Sequence, residues 1–263
     1  MIRTIAFDGI TLGAGAPPAL IVDLSNNHNG SYQRAIKLLD TMKWLGVTAA
    51  KLQAYTPDEL VALRGDGPAP DPWGAQGWSM HQLYTKAQTP LAWLSQLFGH
   101  ARMIGLPLFA SVFGEESLAA CEAAGCPAYK LAAMEFGNRP LRELVEGTGK
   151  PVIRSCPTEF APPWTYPQGL QLYCPPGYPQ SALHLANLRR SGYGTTNYDG
   201  FSYHGRDPKA PAFAVLAGAS VVEVHGQLDD NDRSELEAEV SFTPEELSDA
   251  LDNIVDAWRA LAA

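Results

Sequence analysis

The chain has 263 residues, 46% of them hydrophobic and only 18% charged, a composition that builds a sizeable buried core and excludes a disordered chain. Its formal net charge is −9, from 28 acidic and 19 basic residues, with no Lys/Arg-rich run, which argues against nucleic acid or an anionic membrane surface as partner. Four cysteines without C-x-x-C spacing, no secretion signal in "MIRTIAFDGITLG" and no apolar run near the ~20 residues of a bilayer span predict a cytoplasmic protein with reduced thiols.

Residues 1–18 read as a small hairpin. Short apolar runs then alternate with amphipathic stretches. Strands are predicted at 19–25, 49–55, 107–113, 128–134, 151–156, 169–174, 198–204 and 220–226. Helices are predicted at 31–45, 90–104, 115–124, 138–147, 181–191, 208–217 and 243–261. The last opens with a good start signal: Thr243 as N-cap, Pro244 at the first helical position and Glu246 three after the cap. Eight strand–helix units in a chain of about 250 residues predict a (β/α)₈ barrel, a TIM barrel, as a single domain over 1–263. The hairpin would cap its lower end. An open doubly wound sheet is the competitor, but no G-x-G-x-x-G follows the first strand. Residues 56–89, rich in Gly and Pro, predict a long loop over a site. The prolines of "PTEFAPPWTYPQ" predict that one outer helix is missing between strands five and six.

Active sites of such barrels lie at the carboxyl ends of the strands. The polar residues there include Asp23, the run Asn26-Asn27-His28-Asn29, Lys51, Gln53, Ser111, Lys130, Glu135, Arg154, Ser155, Tyr178, Ser202, His204, Glu223 and His225. Alternation along a strand puts Lys51 with Gln53, Ser202 with His204, and Glu223 with His225 on common faces. Lys51 and Lys130 lie inside apolar strands, where an unpaired ammonium is costly. Two readings are open: ion pairs with a barrel carboxylate such as Asp23 or Glu223, or an anionic ligand that also takes the serine hydroxyls. His204 and His225 end consecutive strands and could form half of a divalent-metal site, or be ordinary structural histidines.

"NNHNGS", "AKLQAYTPDEL", "LYTKAQTPLAWLSQLF", "LFASVFGEESL", "PAYKLAAMEFGNRPLRELVEGTGKPVI", "YCPPGYP" and "LAGASVVEVHGQLD" together resemble the sialic acid synthase family over residues 19 to about 260. "KLQAYTPD" and "LYTKAQTP" are most similar to its pseudaminic acid synthase branch. The resemblance implies a TIM barrel that condenses phosphoenolpyruvate with an aldehyde sugar, with manganese or magnesium as divalent metal and a homodimer as assembly. By it, phosphoenolpyruvate falls on Lys51, Ser111, Lys130, Ser155 and Ser202, and the metal on His204 and His225. Sugar contacts fall on Gln53 and Tyr178, and the acidic positions are Asp23 (usually Glu in the family), Glu135 and Glu223. Asn27 belongs to the family's "NHNG" loop at the mouth of the site. Glu135 is expected to activate the water that adds to phosphoenolpyruvate.

Several turns depart from the family pattern: "SCP" at 155–157 for a Ser-Thr-Gly turn, Ala133 for a serine, Tyr203 for an acid, Pro176 for an Asn or Ser, Val224 for a lysine, and Gly226 for an aromatic. Glu237, in "ELE", stands in for the Asp of a "GPD" turn. The family's antifreeze-like C-terminal domain does not follow in this sequence, which leads us to expect an altered acceptor or a partner supplying that domain. A metal-dependent aldolase or lyase on the same barrel, or a non-catalytic sugar-binding relative, are the alternatives.

Overall fold

A computed structural model of the chain describes residues 3–159, 162–180 and 198–262, so the helix predicted at 181–191 lies outside the described residues. The hairpin is there: β1 (Thr4–Phe7) pairs antiparallel with β2 (Ile10–Gly13). Eight parallel strands then close on themselves: β3 (Ala19–Asp23), β4 (Ala49–Ala54), β5 (Leu108–Val112), β6 (Tyr129–Leu131), β7 (Val152–Cys156), β8 (Gly169–Tyr173), β9 (Gly200–Ser202) and β10 (Val221–Gly226). Pairing of β10 with both β9 and β3 completes the barrel. A two-residue strand, β11 (Ser241–Phe242), pairs parallel with His225 and Gly226 at the carboxyl end of β10, past the residues that pair with β9. Nearly every residue of the eight strands is buried, as expected where helices cover one face and barrel side chains fill the other. Gly200 shows how tightly the strands close: a Cβ there would stand 2.0 Å from the Val221 carbonyl oxygen.

The outer layer holds α1 (Tyr32–Leu45), α4 (Leu94–Ile104), α5 (Glu115–Ala123), α6 (Arg139–Glu146), α7 (Ala210–Leu216) and α8 (Pro244–Ala262); α2 and α3 are defined below. The start of α8 is the capping box that its sequence spells: Thr243 Oγ1 accepts from the Glu246 backbone N–H, and Glu246 accepts from the Thr243 N–H at 2.8 Å. The hairpin plugs the amino-terminal end of the barrel. Phe7 meets Phe109 edge-on with ring centroids 5.5 Å apart, and Arg3 pairs with Asp199 at 2.9 Å.

Two predictions about connections meet different outcomes. Among the described residues between β7 and β8 there is no helix. Trp164 fills its place, lying 4.5 Å under the Arg154 guanidinium and donating to Glu146 at 2.7 Å. Arg154 therefore points out of the barrel into this packing, and burial pushes it down to about 10. The 56–89 segment is not a plain loop, because it folds two helices, α2 (Pro57–Arg64) and α3 (Met80–Ala87). Each opens with a capping box, Thr56 with Glu59 and Ser79 with Gln82. Only the Gly/Pro-rich stretch between them behaves as the composition suggests. Among the described residues no helix is long and apolar enough to cross a membrane.

Candidate active site

Strand register brings the polar residues together. Asp23 sits opposite Lys51, Gln53 opposite Ser111, Ser111 opposite Lys130, Ser202 opposite Glu223, and His225 opposite Asp23. The shared faces expected from alternation are the ones observed, and they line the barrel's carboxyl-terminal mouth.

The first group is an ionic network inside the barrel. The Lys51 ammonium donates to Asp23 at 2.7 Å and to Ser111 at 2.9 Å, with Glu223 4.0 Å away. Lys130 donates to Ser155 at 2.8 Å and lies 3.3 Å from Glu223, which also accepts from Ser202 at 3.0 Å. Gln53 completes the ring on Asp23 at 2.8 Å. The ion-pair reading of the lysines is the arrangement observed: each ammonium has a carboxylate, and each also has a serine hydroxyl beside it. Among the described residues, Lys51 has hydrogen bonds to Asp23 and Ser111 with Glu223 at ion-pair range, and Lys130 has Ser155 and Glu223, against three N–H donors on each ammonium.

Burial opposes charge on all four ionic groups, and the network reverses it for three. Burial pushes Asp23 up, but Lys51, His225 and the bonds from Lys51 and Gln53 outweigh it and hold the carboxyl at about 2. Burial likewise pushes Glu223 up, and Lys130 and Lys51 bring it below the usual carboxylate range. Lys51 is raised because Asp23 and Glu223 overcome its burial. Lys130 is the exception: burial outweighs Glu223 and lowers it.

The second group surrounds two imidazoles. The His204 and His225 rings lie with centroids 5.0 Å apart. His225 Nδ1 is 2.8 Å from Glu237 and 3.3 Å from the Tyr178 hydroxyl, which itself donates to Glu237. His225 Nε2 is 3.6 Å from Asp23, so this group joins the first. Burial, then the neighbouring His225 and the two lysines, keeps His204 well below its ordinary range and hence neutral, the form a metal binds. For His225 burial is outweighed by Glu237, and the imidazole is raised. Among the described residues no group of three or more His, Cys, Asp or Glu is already placed to hold a metal ion. The donor types nevertheless fit one: two imidazoles beside a carboxylate, with a buried Glu223 oxygen, Oε2, lacking any hydrogen-bond partner.

Glu135 forms a third group. Its buried carboxylate accepts from Asn138 at 2.8 Å and from Arg64, and among the described residues no hydrogen bond links it to the lysine network. Arg64 was not among the residues picked out from the sequence. Its signal was present in "TPDEL", a capping-box start, but nothing in the sequence says where that helix points. Cys174, with Sγ 3.8 Å from His204 Nδ1, was also passed over.

The asparagine-rich turn after β3 has a second job. Asn26 donates to the Ala87 carbonyl at 2.9 Å and accepts from Ser234, and His28 meets Thr89 at 3.2 Å. Asn27 donates to Ser241 at 2.9 Å. These side chains staple the end of the 56–89 segment and the 234–241 segment to the first strand. Burial, then Arg34, lowers His28 to about 4, so it is neutral in this staple. Asn27 Oδ1 remains buried without a partner.

A closed parallel barrel with an ionic network and two imidazoles at its carboxyl-terminal mouth is a TIM barrel, in which the site rather than the fold decides the chemistry. The NeuB family model matches residues 38–159 and 170–263, and the chain belongs to the NeuB family. It is 31% identical over 226 residues to the pseudaminic acid synthase of Helicobacter pylori, covering 80% of this chain but only 65% of that protein. A pseudaminic acid synthase of Campylobacter jejuni is 30% identical over 260 residues, covering 92% of this chain and 74% of that one. The fold matches the crystal structure of the N-acetylneuraminic acid (sialic acid) synthetase of Leptospira borgpetersenii in complex with citrate, with a TM-score of 0.83 and 21% identity over 100% of this chain and 91% of that chain.

Proposed function

We propose that this chain condenses phosphoenolpyruvate with an aldehyde sugar to give a nonulosonic-acid-type 2-keto acid and inorganic phosphate. The observation that carries the reading is the convergence of Lys51 and Lys130, each hydrogen-bonded to a serine hydroxyl, beside the paired imidazoles of His204 and His225. Membership of the NeuB family, whose relatives are synthases of this kind, supports it.

In this reading Lys51, Lys130, Ser111, Ser155 and Ser202 hold the phosphate and carboxylate in register, which is mainly a positioning effect. Asp23 and Glu223 keep the two ammonium groups affordable in the barrel interior. Gln53, Asn27, Tyr178 and Glu237 face the acceptor sugar. A divalent cation, manganese or magnesium, held by His204 and His225 would supply Lewis-acid polarisation of the aldehyde oxygen. The enol carbon forms the new C–C bond to the aldehyde carbon, and positive charge develops at the phosphate-bearing carbon. Glu135 takes the proton from the water that adds there. The C–O bond to phosphate then breaks as the added hydroxyl gives up its remaining proton and becomes the keto oxygen; of the water's two protons, one ends on the former aldehyde oxygen, now a hydroxyl, and the other on the departing phosphate. Four free, buried cysteines suit a cytoplasmic setting.

Mixing the protein with phosphoenolpyruvate, manganese and a panel of aldehyde sugars is expected to release inorganic phosphate only when all three are present. Silence across the panel, with no phosphoenolpyruvate binding by calorimetry, would defeat the proposal.

A further inference from the structure

The Arg64–Glu135 pair joins two segments far apart in sequence, and it is built on rigid parts. Arg64 is the last residue of α2, and Tyr55, Leu60 and Phe113 form a small hydrophobic cluster around that helix, with Tyr84 and Ala132 against it. Glu59, on the same helix, accepts from the Ser117 backbone N–H at 3.0 Å, tying α2 to the start of α5. Gly114 leaves the room for this: a Cβ there would stand 2.3 Å from the Glu59 carboxylate. The Arg64 guanidinium passes over the Phe113 ring at 5.9 Å and gives Nη2 to Glu135. Its other terminal nitrogen, Nη1, is buried and has no hydrogen-bond partner.

A buried guanidinium nitrogen without an acceptor is costly, and a charged hydrogen bond formed there is strong. The Nη2 partner of this guanidinium is Glu135, the residue proposed above to activate water. The buried Tyr55 phenol in the cluster around α2 is raised by burial first and then by Glu237, with the Arg64 guanidinium opposing. Asp23 and Glu223 already match Lys51 and Lys130, so an entering anion gains from a further donor that is not yet used.

We infer that Arg64 is a substrate-contacting residue, which holds Glu135 with Nη2 and offers Nη1 to an oxyanion of bound phosphoenolpyruvate, either its carboxylate or its phosphate. This rests on the function proposed above. The guanidinium fork suits the role, since it spans two acceptors in one plane, which an ammonium does not.

Calorimetric titration of the full chain with manganese present tests this, using phosphoenolpyruvate, pyruvate and inorganic phosphate as separate probes. Arg64→Gln is expected to weaken phosphoenolpyruvate binding by roughly ten- to a hundredfold, and to lower the thermal unfolding midpoint as well, because the buried Glu135 carboxylate loses its ion-pair partner. Arg64→Lys, which keeps the charge but not the fork, loses affinity as well and serves if the glutamine variant does not fold. Added guanidinium ion at millimolar concentration should restore part of the binding to Arg64→Gln, which a merely structural role would not allow. Parallel loss of pyruvate affinity assigns the contact to the carboxylate, and parallel loss of phosphate affinity assigns it to the phosphate. If the wild type binds phosphoenolpyruvate and a folded variant binds it equally well, this inference falls and the proposed function stands. If the wild type binds pyruvate or phosphate but turns over no phosphoenolpyruvate, while Arg64→Gln loses that binding, the oxyanion contact stands and the proposed function falls. A wild type that binds none of the three overturns both.

Discussion

Lys51→Met is expected to lower the unfolding free energy by about 3–5 kcal/mol, the usual cost of removing one partner of a buried ion pair. Asp23 and Glu223 would lose the ammonium that lies between them, and both are buried. The pH dependence should change sign. In the wild type the Asp23 carboxyl sits at about 2, below its ordinary 3.8. Its contribution is therefore fully present above pH ~4 and is lost only as pH falls through ~2. Without Lys51, burial, the largest influence on Asp23, is opposed by His225, the Gln53 bond and the Ser25 backbone N–H, and the carboxyl should rise. The variant should then recover stability, relative to wild type, as pH is lowered from 7 towards 4. Thermal unfolding across that range measures this. Adding Asp23→Asn should abolish the acid recovery and restore much of the midpoint. A Lys51→Met midpoint equal to wild type at pH 7 would show that the pair contributes nothing.

Glu135→Gln is expected to lower the rate of phosphate release by about 10²–10⁴-fold, the range for loss of a general acid or base. The amide has the shape of the carboxylate and its oxygen still accepts from Arg64, while its NH2 group then faces the Asn138 amide and that one bond is lost. Phosphoenolpyruvate affinity should hold or improve, since one negative charge leaves the mouth. A fall in kcat with KM unchanged is thus the expected pattern. Equal phosphate release by the variant would remove Glu135 from the mechanism.

The barrel was legible because buried parallel strands read as short apolar runs, and lysine inside such a run demands an explanation. Lys51 and Lys130 found theirs at the expected place, with Asp23, Glu223 and the serines. Their place at the ends of consecutive strands also foretold that His204 and His225 would share the mouth, and the "ELE" turn did bring Glu237 to it. What sequence could not give is the partner of a side chain on another segment. Arg64 and Glu135 are 71 residues apart, and no periodicity links a helix end in an insertion to a turn after a later strand. The same limit hid the stapling role of Asn26 and His28, whose partners lie 61 to 208 residues away. In the 56–89 segment, glycines and prolines masked two short helices that their capping boxes had announced.

Phosphoenolpyruvate carrying ¹⁸O in the bridge between carbon and phosphorus tests the central claim most directly. With manganese and a productive aldehyde sugar, the label is predicted to leave with inorganic phosphate, because water adds to carbon and the C–O bond breaks. Label retained in the keto acid, or no phosphate from any acceptor, would contradict the account.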